Sequence, residues 1–361
     1  MGEFAEGMRA RLDDVETVQL ACDRFRAAFA ALRARIGLRI VGQEAVVDQA
    51  LIALFAGGHV LLEGVPGLGK TLLVRTLSDS LGLDFNRIQF TPDLMPADVT
   101  GTTIVVEDGL GGRAFQFREG PIFANIVLAD EINRATPKSQ SAMLEAMQER
   151  SVSVGAETRR LPDPFLVLAT QNPIEQEGTF PLPEAQLDRF LLKITVPYAI
   201  REELTEIISR TTVPGEVDVT PVLDADDVLA GRALARRIVI ADSVKDYAIR
   251  LVLATHPEGE FEIPEFRHYI RIGASPRAAQ AMVSTAKVVA LMDGRYAASL
   301  DDVRRVALPA LRHRLVRTFE AEADGVDADE IVCGVLERVP ADADHPEDGP
   351  PAGAVFAGGT R

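Results

Sequence analysis

Hydrophobic positions along the first half of the chain follow two different spacings. Apolar residues from Leu12 to Arg35 recur at helical spacing, and the segment Gln43 to Phe55 repeats this pattern. Short apolar runs of strand length follow at 59–63, 126–129 and 165–169, and helix-length or turn-rich sequence separates them. Strands that alternate with helical segments predict a parallel sheet with flanking helices, which is an α/β fold.

Two segments between the predicted strands have the pattern of antiparallel hairpins. Residues Thr102 to Glu119 alternate apolar and polar side chains around Gly109, Gly111 and Gly112. The segment Ser151 to Leu161 places two valines in alternation before a Gly-Ala pair. We predict both as hairpin insertions that project from the α/β core.

After Pro197 the strand signals fade, and from Asp224 to Phe319 the pattern is mainly helical, which indicates a second, smaller all-helical domain. The last residues are rich in Pro, Gly, Ala and Asp, which is typical of a disordered tail. The predicted organisation is an N-terminal helical segment (1–36), the α/β core (37–200), a linker (201–222), the helical domain (223–339) and the disordered tail (340–361).

Composition limits the classes of protein and the compartments to consider. The 361 residues include 38 Lys and Arg against 54 Asp and Glu, a formal net charge of −16. This balance argues against sequence-independent nucleic-acid binding as the main activity, although eleven of the acidic residues lie between Glu320 and Asp348. The two cysteines, Cys22 and Cys333, lack the spacing of a zinc site or disulfide framework, and no apolar run approaches the ~20 residues of a membrane helix. We therefore expect a cytoplasmic protein without membrane insertion.

The strongest chemical signal is a phosphate-binding loop after the first predicted strand. Residues 64–71 fit the pattern G-x-x-x-x-G-K-[ST] in full, and a helical pattern follows them. In such loops backbone N–H groups close on phosphate oxygens, Lys70 reaches the β and γ phosphates of ATP, and Thr71 ligates Mg²⁺. A glycine turn that caps a helix is the alternative. The predicted nucleotide contacts are Gly64, Val65, Pro66, Gly67, Leu68, Gly69, Lys70, Thr71 and Leu72.

Polar side chains also end the next two predicted strands. Asp130 and Glu131 follow the apolar run 126–129, and Asn172 follows the run 165–169. We assign Asp130 to Mg²⁺, and Glu131 to orienting and deprotonating the water that attacks the γ phosphate. Asn172 reaches the same crevice if its strand lies beside that of Asp130, because ligands sit at the carboxyl ends of parallel strands. The alternatives are a solvated turn or helix cap for the acidic pair and a turn residue for Asn172.

Longer segments around these motifs are similar to a known family. They are residues 64–71, TPDLMPADVTG at 91–101, GPIFAN at 120–125, LADEINR at 128–134, LEAMQER at 144–150, ATQNP at 169–173 and PLPEAQLDRF at 181–190. On these residues the chain resembles the MoxR family of AAA+ ATPases, closely from about Ile40 to Phe190 and more loosely in the helical remainder. The resemblance implies an AAA+ P-loop NTPase core with a smaller helical lid, ATP and Mg²⁺ as cofactors, and assembly into a homo-oligomeric ring, commonly a hexamer.

The resemblance also implies roles for two arginines outside the phosphate loop. Arg189 occupies the position of the arginine finger that completes a neighbour's ATP site, with Arg134 and Arg150 as competing candidates. Arg277, at a predicted helix start, corresponds to the second sensor that faces bound phosphate. From the residues alone, Arg189 could instead pair with Asp188 or a surface carboxylate, and Arg277 could face solvent.

The segment Ile40 to Gln43 resembles the one that contacts adenine in AAA+ proteins. Val41 and Gln43 are the predicted contacts. An ordinary helix start is the alternative, since the sequence around Gly42 also has that pattern.

The leading hypothesis for function is an ATP-hydrolysing, chaperone-like remodeller of partner protein complexes. ATP would bind between core and lid, and hydrolysis would shift one against the other. The resemblance implies partners with von Willebrand factor A domains. A nucleotide-switched scaffold with slow hydrolysis is the alternative. A DNA-directed motor is disfavoured, because the hairpin 151–161 offers only Arg159 and Arg160 against Glu157.

Overall fold

The computed structural model describes residues 15–107, 113–155, 157–173, 178–212 and 217–341. The first residues of the predicted N-terminal segment, the glycine-rich turn of the first hairpin and the predicted tail from residue 342 lie outside this range. The elements up to the last strand of the core are α1 (Val15–Gly37), α2 (Glu44–Ala56), β1 (Val60–Glu63), α3 (Lys70–Leu81), β2 (Phe85–Gln89), α4 (Pro96–Thr100), β3 (Gly101–Glu107), β4 (Arg113–Glu119), β5 (Ile126–Asp130), α5 (Pro137–Glu149), β6 (Ser151–Val154), β7 (Glu157–Arg160), β8 (Leu166–Gln171), α6 (Glu184–Leu187) and β9 (Leu192–Thr195).

Five parallel strands form the central sheet. Their order is β2–β5–β8–β1–β9, and every pairing between neighbours is parallel. Helices α1, α2 and α3 contribute to the apolar layer on one face of the sheet, and α5 contributes to the layer on the other. The predicted α/β fold with a parallel sheet is therefore confirmed.

Alternate residues of the middle strands pack into these two separate layers. In β5, Ile126 and Leu128 face the layer that contains α1 to α3, whereas Val127 and Ala129 face the layer that contains α5. Burial on both faces makes such strands continuous apolar runs in the sequence. The strand β2 lies at the edge of the sheet, includes Arg87 and is only partly buried. It has no such run, and the sequence did not predict it or the opposite edge strand β9.

Both predicted hairpins are present, and their strands are largely exposed. The strands β3 and β4 pair antiparallel from Gly101 opposite Glu119 to Glu107 opposite Arg113, and β6 pairs with β7 in the same way. The two hairpins contact each other: the guanidinium of Arg159 lies 4.6 Å from the centre of the Phe117 ring.

The segment 201–222, predicted as a linker, contains the helix α7 (Arg201–Thr211). None of the α7 residues is buried, and Arg210 Nη1 fastens the helix by donating to the carbonyls of Gly37 (3.0 Å) and Leu38 (2.8 Å). The sequence did not predict this helix, in which the apolar side chains of Leu204 and Ile208 are exposed.

The smaller, mainly helical domain, called the lid, follows the core in the chain. Its elements are α8 (Ala225–Arg237), β10 (Val239–Ile240), α9 (Asp242–Leu253), β11 (Ile270–Ile272), α10 (Pro276–Met292), β12 (Ala297–Ala298), α11 (Leu300–Leu311), β13 (Val316–Arg317), α12 (Phe319–Ala323) and α13 (Ala328–Arg338). The short pairs β10–β12 and β11–β13 are an addition to the predicted all-helical domain. The exact domain limits stay a prediction. None of the described helices is both long and apolar enough to cross a lipid bilayer.

Candidate functional site

The phosphate loop lines a cavity of ≈ 450 Å³ at the carboxyl ends of the middle strands. The loop leaves β1 and enters α3, with Gly67 (φ 86°) and Gly69 (φ 75°) in the left-handed region that only glycine adopts without strain. The cavity gathers side chains and backbone from three separate strands. Its lining residues are Pro66, Gly67, Leu68, Gly69, Lys70, Thr71, Leu72, Arg87, Asp130, Glu131, Thr170, Gln171 and Asn172.

Lys70 is held by its own loop. Its Nζ donates to the carbonyls of Gly64 (2.5 Å) and Val65 (2.9 Å), the first two predicted loop residues. Partial burial lowers the pKa of Lys70, and the nearby carboxylates of Asp130 and Glu131 oppose this shift. Lys70 lines the same cavity as both acidic residues.

Asp130 uses both of its carboxylate oxygens. Oδ1 accepts from Thr170 Oγ1 at 2.6 Å, and Oδ2 accepts from Arg87 Nε at 3.0 Å and Nη2 at 2.7 Å. Thr170 belongs to β8, so the neighbouring strand positions the carboxylate. The Thr170 hydroxyl also accepts the Glu131 N–H at 2.7 Å, which links the two acidic residues through one side chain.

Glu131 sits at a tightly turned point just after β5. Its backbone has a φ of 56°, which is unusual for a residue other than glycine. Its Oε2 accepts from Gln89 Nε2 at 2.7 Å and from Arg134 Nη1 at 3.0 Å. Asn172 lies at the end of β8, is 7% exposed and lines the same cavity.

The oxygen donors in this cavity fit Mg²⁺. Thr71 offers a hydroxyl and Asp130 a carboxylate, which are the ligand types that Mg²⁺ prefers when it also binds nucleotide phosphates. Within the described ranges, no group of three or more His, Cys, Asp or Glu side chains could hold a metal ion. The two protein oxygens of Thr71 and Asp130 suit a metal ion that also binds nucleotide phosphates.

The predicted adenine segment lies beside the phosphate loop. Gln43 Nε2 donates to the carbonyl of Leu68 at 3.0 Å, and Val41 is half-buried two residues earlier. Gly42 between them has a φ of 67° and packs against the Glu203 side chain of α7, so that an added Cβ would lie 2.1 Å from it. The contact with adenine itself stays a prediction.

Arg189 and Arg277 line a second cavity of ≈ 430 Å³ and not the phosphate-loop cavity of their own chain. Gly57 and Gly58, just before β1, also line this second cavity, whereas the phosphate loop follows the other end of β1. The structure therefore does not bring Arg277 to the phosphate-loop cavity of its own chain, and the expectation that ATP lies between core and lid, with Arg277 facing it, stays a prediction. Packing has placed the start of α10 at the amino end of β1.

Asp188 explains why Arg277 lies there. Its carboxylate accepts from Ser275 Oγ (2.9 Å), Arg277 Nη1 (3.1 Å) and Arg314 Nε (2.8 Å), all of which belong to the lid. The alternative pairing of Asp188 with Arg189 is not observed. Among the described residues, the Arg189 guanidinium has no hydrogen-bond or ion-pair partner. Of the competing arginines, Arg150 lines the same second cavity, and Arg134 binds Glu131.

Comparison with known proteins identifies the family. A model of the ATPase family associated with various cellular activities (AAA) matches residues 59–192, and an AAA lid domain model matches 266–333. The chain is 44% identical to the chaperone MoxR1 of Mycobacterium tuberculosis over 340 residues, which cover 93% of this chain and 84% of that protein. It is 31% identical to protein MoxR of Methylorubrum extorquens, with 88% and 96% covered. The chain belongs to the MoxR family of AAA+ ATPases.

A solved structure agrees with the MoxR assignment. A protein from Cytophaga hutchinsonii, described as a candidate ATPase, superposes with a TM-score of 0.83 at 42% identity, covering 90% of this chain and 97% of that one. The match extends over both the core and the lid of this chain.

Arg87, Gln89 and Thr170 hydrogen-bond to the predicted residues Asp130 and Glu131 of this MoxR-family site but were not predicted. Arg87 and Gln89 alternate on β2, which was not predicted, and Thr170 lies inside a run interpreted only as a buried strand. Only the alternation of Arg87 and Gln89, two residues apart, could have indicated a shared face of an edge strand.

Proposed function

We propose that this chain is a Mg²⁺-dependent ATPase that remodels or matures partner protein complexes as a chaperone-like ring. The observation that carries this proposal is the convergence of Lys70, Thr71, Asp130, Glu131 and Asn172 on one cavity at the carboxyl ends of β1, β5 and β8. Such a convergence supplies a phosphate cradle, metal ligands and a general base within one crevice.

Each residue has a distinct role in the proposed reaction. The loop N–H groups and Lys70 bind the phosphates, and Thr71 and Asp130 hold Mg²⁺, which would neutralise charge on the phosphates. Glu131 orients and deprotonates the attacking water, and Asn172 contacts the γ phosphate or that water from the next strand. Val41 and Gln43 form the adenine side of the site.

We further propose that the site is completed between subunits of a ring, which in this family would be a hexamer. Arg189 is half-buried, without a hydrogen-bond or ion-pair partner in the described part of the chain, and lies in a cavity apart from its own phosphate loop. An unpaired guanidinium in a partly buried position is suited to an anion supplied from outside the chain. Arg277 in the same cavity would reach the neighbour's nucleotide with it.

Two substitutions test the assignment of the catalytic residues. Lys70→Ala should lose binding of a fluorescent ATP analogue, because the phosphates lose their cation. Glu131→Gln should bind ATP with near wild-type affinity and lose about 10²-fold or more in turnover, because the general base is gone. Lys245→Ala, which removes an exposed lid lysine, serves as the control and should behave as wild type. Steady-state hydrolysis retained by Glu131→Gln would contradict the role of the base.

Mixing inactive variants tests the shared site. Arg189→Ala keeps a complete phosphate loop, and Lys70→Ala keeps Arg189, so mixed rings contain some junctions with both groups intact. ATP hydrolysis should therefore reappear on mixing and be greatest at an intermediate ratio of the two variants. No recovery at any ratio would argue against completion in trans.

The proposed partners are proteins with von Willebrand factor A domains. The name chaperone carried by the 44% identical MoxR1 supports a client protein in general. A pull-down with Glu131→Gln in ATP should enrich such a partner, because the trapped state cannot release it by hydrolysis. The same pull-down with Lys70→Ala is the matched control and should enrich much less. We place the activity in the cytoplasm, which suits the free thiols Cys22 and Cys333.

A further inference from the structure

Asp130, a proposed ligand of the metal ion, is paired with the guanidinium of Arg87. Arg87 directs two donors of its guanidinium, Nε and Nη2, at a single oxygen, Asp130 Oδ2, at 3.0 and 2.7 Å. The other oxygen, Oδ1, accepts the Thr170 hydroxyl at 2.6 Å. A carboxylate offers about four lone-pair sites, so three of those on Asp130 are in use. A metal ion can take Oδ2 only if Arg87 gives up this contact.

The position of Arg87 is fixed by the sheet. It lies on β2, whose backbone is paired in parallel with β5, the strand that ends in Asp130. Its side chain is 48% exposed, and it lines the cavity of the phosphate loop. Its Nη2 also donates to Gln89 Oε1 at 2.6 Å. The guanidinium is therefore partly open to solvent, and it has a second partner in Gln89 besides Asp130.

We propose that Arg87 is a positioning residue that competes with Mg²⁺ for Asp130. This inference rests on the proposed ATPase function and deepens it. In the absence of nucleotide, Arg87 neutralises Asp130 and suppresses binding of a metal alone. A bound nucleotide provides phosphate oxygens in the same cavity, to which a guanidinium binds well, so the exchange of partners becomes favourable. Arg87 thereby makes binding of the metal and of the nucleotide cooperative.

The test measures metal binding directly. Mn²⁺ is titrated into the full-length chain, without nucleotide and with ADP, and free Mn²⁺ is followed by electron paramagnetic resonance. Without nucleotide, Arg87→Gln should bind Mn²⁺ on the order of tenfold more tightly than wild type, because a charge-assisted fork contact no longer competes. Arg87→Lys keeps the charge but not the fork and should fall between the two. The factor by which ADP tightens Mn²⁺ binding should shrink in Arg87→Gln.

Two controls separate competition from a general effect of charge. Arg75→Gln removes an exposed arginine from α3, the helix after the phosphate loop, and should leave Mn²⁺ binding unchanged. In an Asp130→Asn background, Arg87→Gln should have no further effect on Mn²⁺ affinity, because the competed ligand is absent. Unfolding midpoints of all variants exclude loss of the fold as the cause.

The outcomes are distinct. Mn²⁺ affinity of Arg87→Gln within about twofold of wild type, or weaker than wild type, would overturn competition. So would a shift that persists in the Asp130→Asn background. Failure of the wild-type chain to bind Mn²⁺ with ADP at all would instead contradict the proposed ATPase site. A wild type that binds both ligands and hydrolyses ATP, beside an unshifted Arg87→Gln, would remove this inference alone.

Discussion

Asp188 is the carboxylate that fastens the lid to the loop before β9, and its replacement should measure the strength of that junction. Its side chain is 15% exposed, and the side chain of its partner Arg314 is only 3% exposed. Burial lowers the pKa of Arg314, and Asp188 opposes this shift. Asp188→Ala removes the carboxylate and leaves the Arg314 charge with backbone carbonyls alone, including those of Phe190 at 2.6 Å and Leu191 at 3.2 Å.

The cost follows from the contacts that are lost. The bond from Arg314 Nε contributes about 1.5–3 kcal/mol, as a buried bond between charged groups, and the Ser275 hydroxyl about 1 kcal/mol. Arg277 is 53% exposed, so its ion pair adds little. We expect Asp188→Ala to lower the free energy of unfolding by about 3 kcal/mol. Asp188→Asn keeps an acceptor oxygen of the same shape and should cost about 1 kcal/mol.

Urea denaturation at pH 7, followed by circular dichroism, measures both variants against wild type. For a protein of this size the Ala variant should unfold at a urea concentration about 1 M lower. Arg271→Ala is the matched control, because its pairing with Glu184 also joins lid and core but is exposed on both sides. A loss below about 1 kcal/mol for Asp188→Ala, or equal losses for Asn and Ala, would refute the reasoning from a buried charge.

Three further predictions concern other parts of the chain. Burial lowers the pKa of His59 to about 4, so the unfolded chain takes up a proton that the folded chain does not. The contribution of His59 to the free energy of unfolding is fully present above about pH 6.5 and falls by about 3 kcal/mol as the pH drops to 4. Urea denaturation at both pH values measures this loss. His59→Gln should reduce that pH dependence. Gly101→Ala should destabilise the first hairpin by about 1 kcal/mol or more, because the backbone φ of Gly101 is 93° and an added Cβ would collide with the Arg118 carbonyl. Limited proteolysis should detect earlier cleavage in this hairpin. The side chain of Phe115 is 82% exposed, so Phe115→Ser should change the free energy of unfolding by no more than about 0.5 kcal/mol. A loss of client binding in this variant would therefore come from a lost contact and not from unfolding.

Most of the unpredicted residues around the nucleotide cavity lie on an edge strand of the sheet. Middle strands such as β5 are buried on both faces and appear in the sequence as apolar runs, so they were predicted. The edge strand β2 has one buried residue, Ile88, among partly exposed and polar neighbours, so its pattern carries little signal. Because β2 was missed, Arg87 and Gln89 were missed with it, although they contact Asp130 and Glu131.

The sequence by itself determined the phosphate loop and the acidic strand end, as well as the order of the predicted core and lid. These features depend on residues within a few positions of one another, and chain connectivity fixes their relative geometry. Only the tertiary structure decided that Arg87 binds Asp130, 43 residues away, and that Arg314 binds Asp188 across 126 residues. It also decided that Arg189 and Arg277 lie at the end of β1 opposite the phosphate loop. Contacts between residues so distant in the chain form only when whole elements pack, and no local pattern records that packing.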